Sequence, residues 1–267
     1  MNLAKTDVVI DKSFLQGASK ETLQLLFNIH RVLMCAVNFY ELLTTKPFER
    51  ARCFQRLPKG ENPVALVESL DFIWQWEVEN KRPLLDIQHA IIQGTYHFNS
   101  RLINENFRMN EDQIKHLEDM QGRMSSKVKA FAEHCSQITI RFTELSNYRP
   151  GGSNPSQIEK FQKRICTEPE FVREFYNSGR GDKWPPADSI DKRWAIFKWI
   201  QIRLIAALDY FRKYGAREMS SETRKIENEY LDLEYCLIGC LVGTIATQDK
   251  GMAKRFLALC PSGKVFS

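Results

Sequence analysis

Short apolar runs near the amino terminus constrain the fold of this chain more than any other feature. Residues 8–10 form a β-branched run that ends in Asp11, and residues 31–37 form a second apolar run after an intervening helical pattern. Short apolar runs bounded by polar residues are typical of buried strands. Asn38, at the end of the second run, can cap the helix that follows it. Because strand, helix, strand and helix follow one another with short links, the sequence predicts a parallel α/β sheet.

The carboxyl-terminal part shows the same alternation. A helical pattern extends from about residue 220 to Gly243, and a short apolar run over residues 244–247 predicts another strand. A short helix over residues 252–259 and an edge strand over residues 263–266 complete the pattern. We therefore expect both ends of the chain to build one α/β domain, from residues 1–60 plus 218–267.

The middle of the chain differs from both ends. From Pro63 to about residue 217 almost every window has a helical pattern, including a long candidate over residues 111–148 and a very apolar one over residues 194–208. Stretches rich in Pro and Gly separate these helices. The predicted architecture is a three-layer parallel sheet with helices on both faces, which carries an all-helical insertion at residues 61–217.

Composition excludes several classes of protein. The 267 residues are 43% hydrophobic and 27% charged, which is typical of an ordered globular chain. The seven cysteines are scattered without CxxC spacing, so neither a disulfide framework nor a zinc ribbon is indicated. The longest apolar stretch, residues 235–246, is shorter than the roughly 18 residues of a membrane span. With no signal-peptide pattern at the start, we expect a soluble, cytoplasmic protein.

Several enzyme motifs are also absent from the sequence. There is no Walker A sequence, no GxGxxG and no GxSxG, and the five histidines lack HxxxH and HExxH spacing. Lys12 and Ser13 follow Asp11, whereas a phosphatase of the haloacid-dehalogenase type needs a second Asp two residues on.

Acidic residues lie at the positions where an open α/β sheet binds ligands, which are the carboxyl ends of its strands. Asp11 ends the first predicted strand, Glu41 follows the second and Asp249 follows the strand near the carboxyl terminus. Asp232 lies on the preceding helical pattern beside Tyr235. Converging carboxylates raise one another's pKa unless a cation neutralises them, so the pattern predicts a hard divalent cation such as Mg²⁺. A helix-capping role stays open for Asp11 and Asp249.

The segments around these acids resemble the four acidic motifs of PIN-like nucleases. The resemblance covers residues 6–45 and 225–265, and the 17-residue spacing from Asp232 to Asp249 is similar to that of the family's last two motifs. The matching segments are Val-Val-Ile-Asp11-Lys-Ser13-Phe-Leu, Leu-Met-Cys-Ala-Val-Asn-Phe-Tyr-Glu41-Leu-Leu, Asp232-Leu-Glu-Tyr-Cys-Leu-Ile and Ala-Thr247-Gln-Asp249-Lys.

The resemblance implies a Mg²⁺- or Mn²⁺-dependent ribonuclease, in which acids hold the metal and a metal-bound water attacks the phosphodiester. It implies catalytic, metal-binding roles for one group of acids and supporting roles for two hydroxyls. These residues are Asp11, Glu41, Asp232 and Asp249 as the acids, the last directly or through water, and Ser13 and Thr247 as the supporting hydroxyls.

The chain departs from the family pattern in length. Glu41 and Asp232 are 191 residues apart, far more than is usual in PIN-like domains. Glu229 and Glu234 are therefore alternatives for the third acid. Asp232 is preferred because its Asp-x-x-Tyr pattern falls where the family's helix acid does.

Two regions carry cations suited to nucleic acid. Residues 190–217 contain seven Lys or Arg against two Asp, although a solvated rim around a core helix explains them equally. The loops at residues 149–154 and 180–184 combine cations with flexible backbone, and the second also has an aromatic ring, as in lips that bind single strands. The candidate contacts are Arg149, Arg180, Lys183, Arg193, Lys198 and Arg203.

These observations favour a metal-dependent endoribonuclease acting on single-stranded or structured RNA. The helical insertion could hold a protein inhibitor, as when a toxin-like nuclease is held by its antitoxin. The alternative is a catalytically silent RNA- or protein-binding module of PIN-like fold. A membrane partner is not expected.

Overall fold

The fold is described from a computed structural model, which describes residues 5–145, 155–214 and 223–267. The chain divides into two compact units. The first comprises Met1–Trp76, Leu84–Leu117 and Glu234–Ser267, and the second comprises Glu77–Pro83 and Glu118–Leu233. The first unit thus extends past residue 60, where the sequence pattern placed the start of the helical insertion.

A five-stranded parallel sheet forms the centre of the first unit. Its strand order is β3-β2-β1-β4-β5, and every neighbouring pair is parallel. The predicted parallel α/β fold is confirmed, because the amino-terminal β1 pairs with β4 from the carboxyl-terminal part. The strands are β1 (Thr6–Ile10), β2 (His30–Cys35), β3 (Ala65–Val67), β4 (Thr244–Ala246) and β5 (Lys264–Phe266).

Both faces of the central strands are buried. Val8 and Ile10 lie in a hydrophobic cluster with Phe14, while Val9 and Leu33 are also fully buried. Successive side chains along a strand point to opposite faces, so β1 has no face toward solvent over these residues. This two-sided burial explains why the strands appear in the sequence as continuous apolar runs and not as alternating ones.

Twelve α-helices occur in the described ranges. They are α1 (Lys12–Gly17), α2 (Lys20–Ile29), α3 (Ala36–Thr44), α4 (Pro47–Arg56), α5 (Leu70–Asn80), α6 (Glu111–Ser136), α7 (Ile138–Arg141), α8 (Pro155–Thr167), α9 (Pro169–Gly179), α10 (Ala195–Tyr214), α11 (Thr223–Val242) and α12 (Lys250–Leu259). Gly243 follows α11 with φ +81°, a left-handed conformation that glycine adopts readily after a helix. The helix predicted to end there is confirmed.

Two local expectations are wrong. Strand β3 lies where the sequence suggested helices from Pro63 onward; only its pairing with β2, in the register Leu33↔Ala65, makes these three residues a strand. The long helical candidate over residues 111–148 is also interrupted, because α6 ends at Ser136 and α7 is a separate short helix.

The second unit is helical over its described residues. Its core includes an aromatic cluster in which the Phe142 ring lies 4.8 Å from the Phe161 ring and 5.7 Å from the Phe175 ring. The buried Glu77 carboxylate accepts hydrogen bonds from the backbone N–H groups of Ala195 (2.7 Å) and Ile196 (3.2 Å), and so caps α10. In the described ranges, no helix combines the length and apolar composition needed to cross a bilayer.

Candidate functional site

Asp11 lies at the carboxyl end of β1, where it also caps α1. Its backbone N–H donates to the carbonyl of Ala246 in the neighbouring strand β4 (3.1 Å), which extends the sheet pairing to this residue. Its side-chain Oδ1 accepts a hydrogen bond from the backbone N–H of Phe14 (2.7 Å). Only 2% of Asp11 is exposed, so strand pairing and the helix start together hold a carboxylate inside the protein.

Two hydroxyl groups bind the Asp11 carboxylate. Ser13 Oγ lies 2.9 Å from both Asp11 oxygens, and Thr247 Oγ1 donates to Oδ2 at 2.6 Å. The two hydroxyl oxygens are 3.3 Å apart. The structure thus brings Thr247 into contact with Asp11 and Ser13, although Thr247 and Asp11 are 236 residues apart in the sequence.

Burial raises the pKa of Asp11 to about 6. The hydrogen bonds from Thr247, Phe14 and Ser13 lower this pKa, and the negative charge of Glu41 raises it, but desolvation is the largest effect. Among the described residues, the hydrogen-bond partners of the Asp11 carboxylate are neutral hydroxyls and one backbone amide. The result is a buried carboxylate that titrates close to neutral pH, as groups at functional sites commonly do.

Glu41, the second acid of this edge, lies half-buried on α3 between a cation and a phenol. Its Oε1 is 3.0 Å from Lys12 Nζ, and its Oε2 accepts a hydrogen bond from the Tyr235 hydroxyl at 2.8 Å. Tyr235 is 1% exposed, and burial beside Glu41 and Asp11 raises its pKa well above the usual value. Tyr235 therefore stays protonated and serves as a fixed donor to Glu41.

Asn38 belongs to this edge of the sheet, although the sequence placed it as the cap of a helix. That expectation is wrong, because Cys35 occupies the N-cap position of α3. Asn38 is fully buried, and its Nδ2 donates to the carbonyl of Ile10, next to Asp11 (2.7 Å). Its Oδ1 has no hydrogen-bond partner in the part of the chain that the structure describes. A polar residue within an otherwise apolar stretch was the sequence feature that could have revealed it.

Asp249 is an exposed N-cap residue of α12. Its Oδ1 accepts from the backbone N–H of Met252 (2.7 Å), and its own N–H donates to Thr247 Oγ1 (2.9 Å). The capping role left open for Asp249 and Asp11 is therefore confirmed for both. The Thr247 hydroxyl connects the two residues, since it accepts from Asp249 and donates to Asp11.

The three alternatives for the remaining acid all lie on α11. Asp232 and Glu229 are half-buried and belong to the second unit. Glu234 belongs to the first unit, is 7% exposed, and its negative charge contributes to raising the pKa of Cys35 at the end of β2. Of the three, Glu234 is thus the acid that the structure places near a carboxyl strand end in the unit with the sheet.

The oxygen donors of this edge bear directly on metal binding. Within the described residues, no three His, Cys, Asp or Glu side chains form a group that could hold a metal ion. Magnesium in enzymes is often held by only one or two carboxylates, with waters and substrate phosphates as its other ligands. Such a cation accepts oxygen ligands of the kind found at this edge, which are the carboxylates of Asp11 and Glu41 and the side-chain Oδ1 of Asn38.

The predicted nucleic-acid contacts are in varied surroundings in the second unit. Arg193 forms an ion pair with Asp191 (Nη2 to Oδ2, 2.6 Å), and the Arg203 guanidinium lies over the rings of Phe131 (5.9 Å) and Trp199 (6.0 Å). Arg180 Nη1 contacts two backbone carbonyls at 3.4 Å. The remaining candidates are the exposed Lys183, the half-buried Lys198, and Arg149, which lies outside the described residues.

No family model, curated protein or solved structure matches this chain. A function for the chain is therefore inferred from the geometry of Asp11 and Glu41 at the carboxyl edge of the sheet and from the sequence motifs around them.

Proposed function

We propose that this protein is a divalent-cation-dependent endoribonuclease of PIN-like fold that hydrolyses RNA phosphodiester bonds. The observation that supports the proposal best is the buried Asp11 carboxylate, with its pKa raised to about 6, at the carboxyl end of a central parallel strand. The charge of Glu41 contributes to that rise in pKa. A carboxylate whose pKa is raised by a neighbouring acid is stabilised in its charged form by a bound cation.

In this proposal, Asp11 and Glu41 would hold Mg²⁺ or Mn²⁺. The side-chain Oδ1 of Asn38 would be a neutral ligand for the same ion or for its water. The cation supplies an activated water and neutralises charge on the phosphoryl oxygens. Ser13 and Thr247 hold the Asp11 carboxylate in place, and Tyr235 does the same for Glu41. Asp249 keeps the ligand role, direct or through water, that the motif resemblance implies, and Glu234 takes the place of the α11 acid because it belongs to the same unit as Asp11 and Glu41.

The RNA substrate is proposed on electrostatic grounds. The chain has a formal net charge of +5, and Lys183 and Lys192 are exposed in the second unit. Cations of this kind bind the phosphate backbone without reading its sequence. A protein inhibitor bound by the helical region, as in a toxin-like nuclease, belongs to the same proposal.

The test is cleavage of end-labelled single-stranded RNA and of bulk tRNA by purified protein with Mn²⁺, with Mg²⁺ and with EDTA. We expect cuts with either metal, none in EDTA, and a rate at least about 100-fold lower for Asp11→Asn. Asp7→Asn is the matched control, because it makes the same change four residues earlier, in β1, at a carboxylate paired with Arg31. Equal cleavage by Asp11→Asn and wild type would contradict the proposed site.

A second candidate function is an RNA- or protein-binding module without catalysis. The observation in its favour is the ion pair of Lys12 with Glu41 (3.0 Å), in which an ammonium group already neutralises one of the two acids. If this fixed cation replaces the metal, wild type and Asp11→Asn bind RNA equally in EDTA and neither cleaves it with Mn²⁺.

Lys12→Gln separates the two candidates further. In the nuclease, removing the ammonium group frees Glu41 Oε1 for a divalent cation, so Mn²⁺ binds more tightly than in wild type. In the binding module, the variant leaves Glu41 without its counter-charge and the protein less stable, with no gain in Mn²⁺ affinity.

A further inference from the structure

A cavity of about 750 Å³ lies at the amino-terminal edge of the sheet, opposite to the acids. Lys5 precedes β1, His30 and Arg31 begin β2, and Ala65 begins β3, and all four residues line the cavity. All of its lining residues belong to the first unit. Its volume falls within the range of about 300–1,000 Å³ that is usual for small-molecule sites. We refer to it as the amino-edge cavity.

The rim of the amino-edge cavity is preformed. Two loops are tied together by hydrogen bonds from Asn62 N to the Tyr96 carbonyl (3.0 Å) and from Tyr96 N to Asn62 Oδ1 (2.9 Å). A third bond, from Ile92 N to the Leu66 carbonyl (2.9 Å), joins the second loop to β3. A ligand entering the cavity therefore meets walls that are already ordered, which lowers the entropic cost of binding.

Residues with positive φ are concentrated at the same rim. Among the described residues, five have positive φ, and three of them line or adjoin this cavity: Gly60 at +116°, Asn62 at +45° and Gly94 at +113°. Positive φ is uncommon outside glycine and is held only where surrounding contacts fix it.

The charge of the lining favours an anion. Arg31 is already paired with Asp7 (Nη2 to Oδ2, 2.5 Å). Among the described lining residues, the two ammonium groups of Lys5 and Lys59 then stand against a single carboxylate, that of Glu61. Lys5 Nζ donates to the Phe27 carbonyl (2.9 Å) and keeps two further N–H groups. Lys5 and Lys59 are both exposed, so an anion at the mouth of the cavity can reach them.

The remaining lining combines apolar surface with amide groups. Phe27 and Tyr96 are half-buried, and the Tyr96 hydroxyl is fixed by a hydrogen bond to the carbonyl of Val64. Asn62 and Gln93 also line the cavity. Asn62 Nδ2 donates one hydrogen bond to the Gly94 carbonyl (3.3 Å) and Gln93 Nε2 donates one to the Ile91 carbonyl (3.0 Å), so each amide keeps one further N–H group. A planar heterocycle can use both the apolar faces and these remaining donors and acceptors, whereas an acyl chain can use only the apolar faces.

We propose that the amino-edge cavity binds a nucleoside monophosphate, with its phosphate at Lys5 and Lys59 and its base against Phe27 and Tyr96. The site lies in the same unit as the acids but uses none of them. It therefore stands whether or not the acids cleave RNA.

The test is calorimetric titration of AMP and UMP into the full chain in EDTA, which removes divalent cations from the acids. Lys59→Glu is the test variant, because Lys59 is exposed and its replacement leaves the core intact. Lys254→Glu, the same change at an exposed position on α12 outside the cavity lining, is the control. We expect binding by wild type and Lys254→Glu, and binding at least about tenfold weaker for Lys59→Glu.

Further titrations define the ligand class. Adenosine and inorganic phosphate should each bind more weakly than AMP, since each lacks half of the contacts. Absence of nucleotide binding by wild type would overturn the proposal, as would tighter binding of decanoate than of AMP. Binding of AMP that Asp11→Asn abolishes and Lys59→Glu leaves unchanged would place the nucleotide at the acids, and would also overturn it.

Discussion

Asp7 in strand β1 and Asp11, which directly follows that strand, allow a direct comparison between the two edges of the sheet. Near the amino edge, Asp7 accepts two hydrogen bonds from the Arg31 guanidinium, at 2.6 Å from Nε and 2.5 Å from Nη2. At the carboxyl edge, Asp11 is more deeply buried and accepts hydrogen bonds from Ser13, Phe14 and Thr247. The same residue type is thus paired with a full positive charge at one edge and with neutral donors at the other.

The comparison separates a carboxylate that stabilises the fold from one whose ionisation destabilises it. An arginine on the neighbouring strand balances Asp7 completely, so the Asp7 charge stabilises the folded sheet. Neutral donors balance Asp11 incompletely, and burial raises its pKa to about 6. A carboxylate kept in this condition lowers the stability of the protein at neutral pH, which points to a role other than stability.

The largest expected effect is on stability, measured in EDTA. Asp11 has a folded-state pKa of about 6 against 3.8 as its ordinary value, so the folded wild type binds its proton more tightly than the unfolded chain does. Wild-type stability therefore falls as pH rises from about 4 to about 6, by about 3 kcal/mol from this group. Asp11→Asn lacks this loss.

Urea unfolding of both proteins at pH 4 and pH 8 measures the effect. We expect the variant to gain up to about 3 kcal/mol over wild type at pH 8, equivalent to about 100-fold in the unfolding equilibrium, and almost nothing at pH 4. A difference between variant and wild type that does not change with pH would show that Asp11 is not the destabilising carboxylate that the comparison requires.

The next effect concerns the hydrogen bond that orients Glu41. Tyr235→Phe removes the hydroxyl that donates to Glu41 Oε2, and we expect single-turnover cleavage at saturating Mn²⁺ to slow by about tenfold. Tyr176→Phe is the matched control, because it removes a buried hydroxyl that donates to the Pro185 carbonyl (2.7 Å). If both variants slow cleavage equally, the effect is one of general stability and not of the acids.

The smallest effect is expected at the amino edge. Asp7→Asn weakens the ion pair with Arg31, whose side chain is 35% exposed, so we expect a loss of only about 1 kcal/mol in the free energy of unfolding. The cleavage rate should remain within about twofold of wild type, because Asp7 lies near the amino edge of the sheet and Asp11 and Glu41 lie at the carboxyl edge. A strong loss of cleavage in this variant would remove the distinction between the two edges.

Much of the sheet was predictable because burial on both faces leaves a clear pattern in the sequence. The runs at Val8 and Val32 needed no partner to be recognised as strands, and Asp11 was predictable as the residue that ends the first of them. The pairing of the two chain ends in one sheet followed from the same alternation of elements at both ends.

The rest depends on contacts between distant parts of the chain. The three residues of β3 are a strand only through their pairing with β2, and no local pattern marks them. The hydrogen bond from Asn38 to the Ile10 carbonyl joins residues 28 apart, so local capping rules placed Asn38 wrongly. Asp232 was preferred over Glu234 because of its Asp-x-x-Tyr pattern. That local pattern likewise contains no information on which of the two acids lies in the unit with the sheet.

The central claim is that Asp11 and Glu41 form one site for a divalent cation, and calorimetric titration of Mn²⁺ tests it most directly. We predict that wild type and Asp7→Asn bind Mn²⁺ with the same affinity, and that Asp11→Asn and Glu41→Gln each bind it at least about tenfold more weakly. Circular dichroism of each variant checks that its fold is retained. Equal Mn²⁺ affinity in wild type and Asp11→Asn, or no binding by wild type, would contradict the claim.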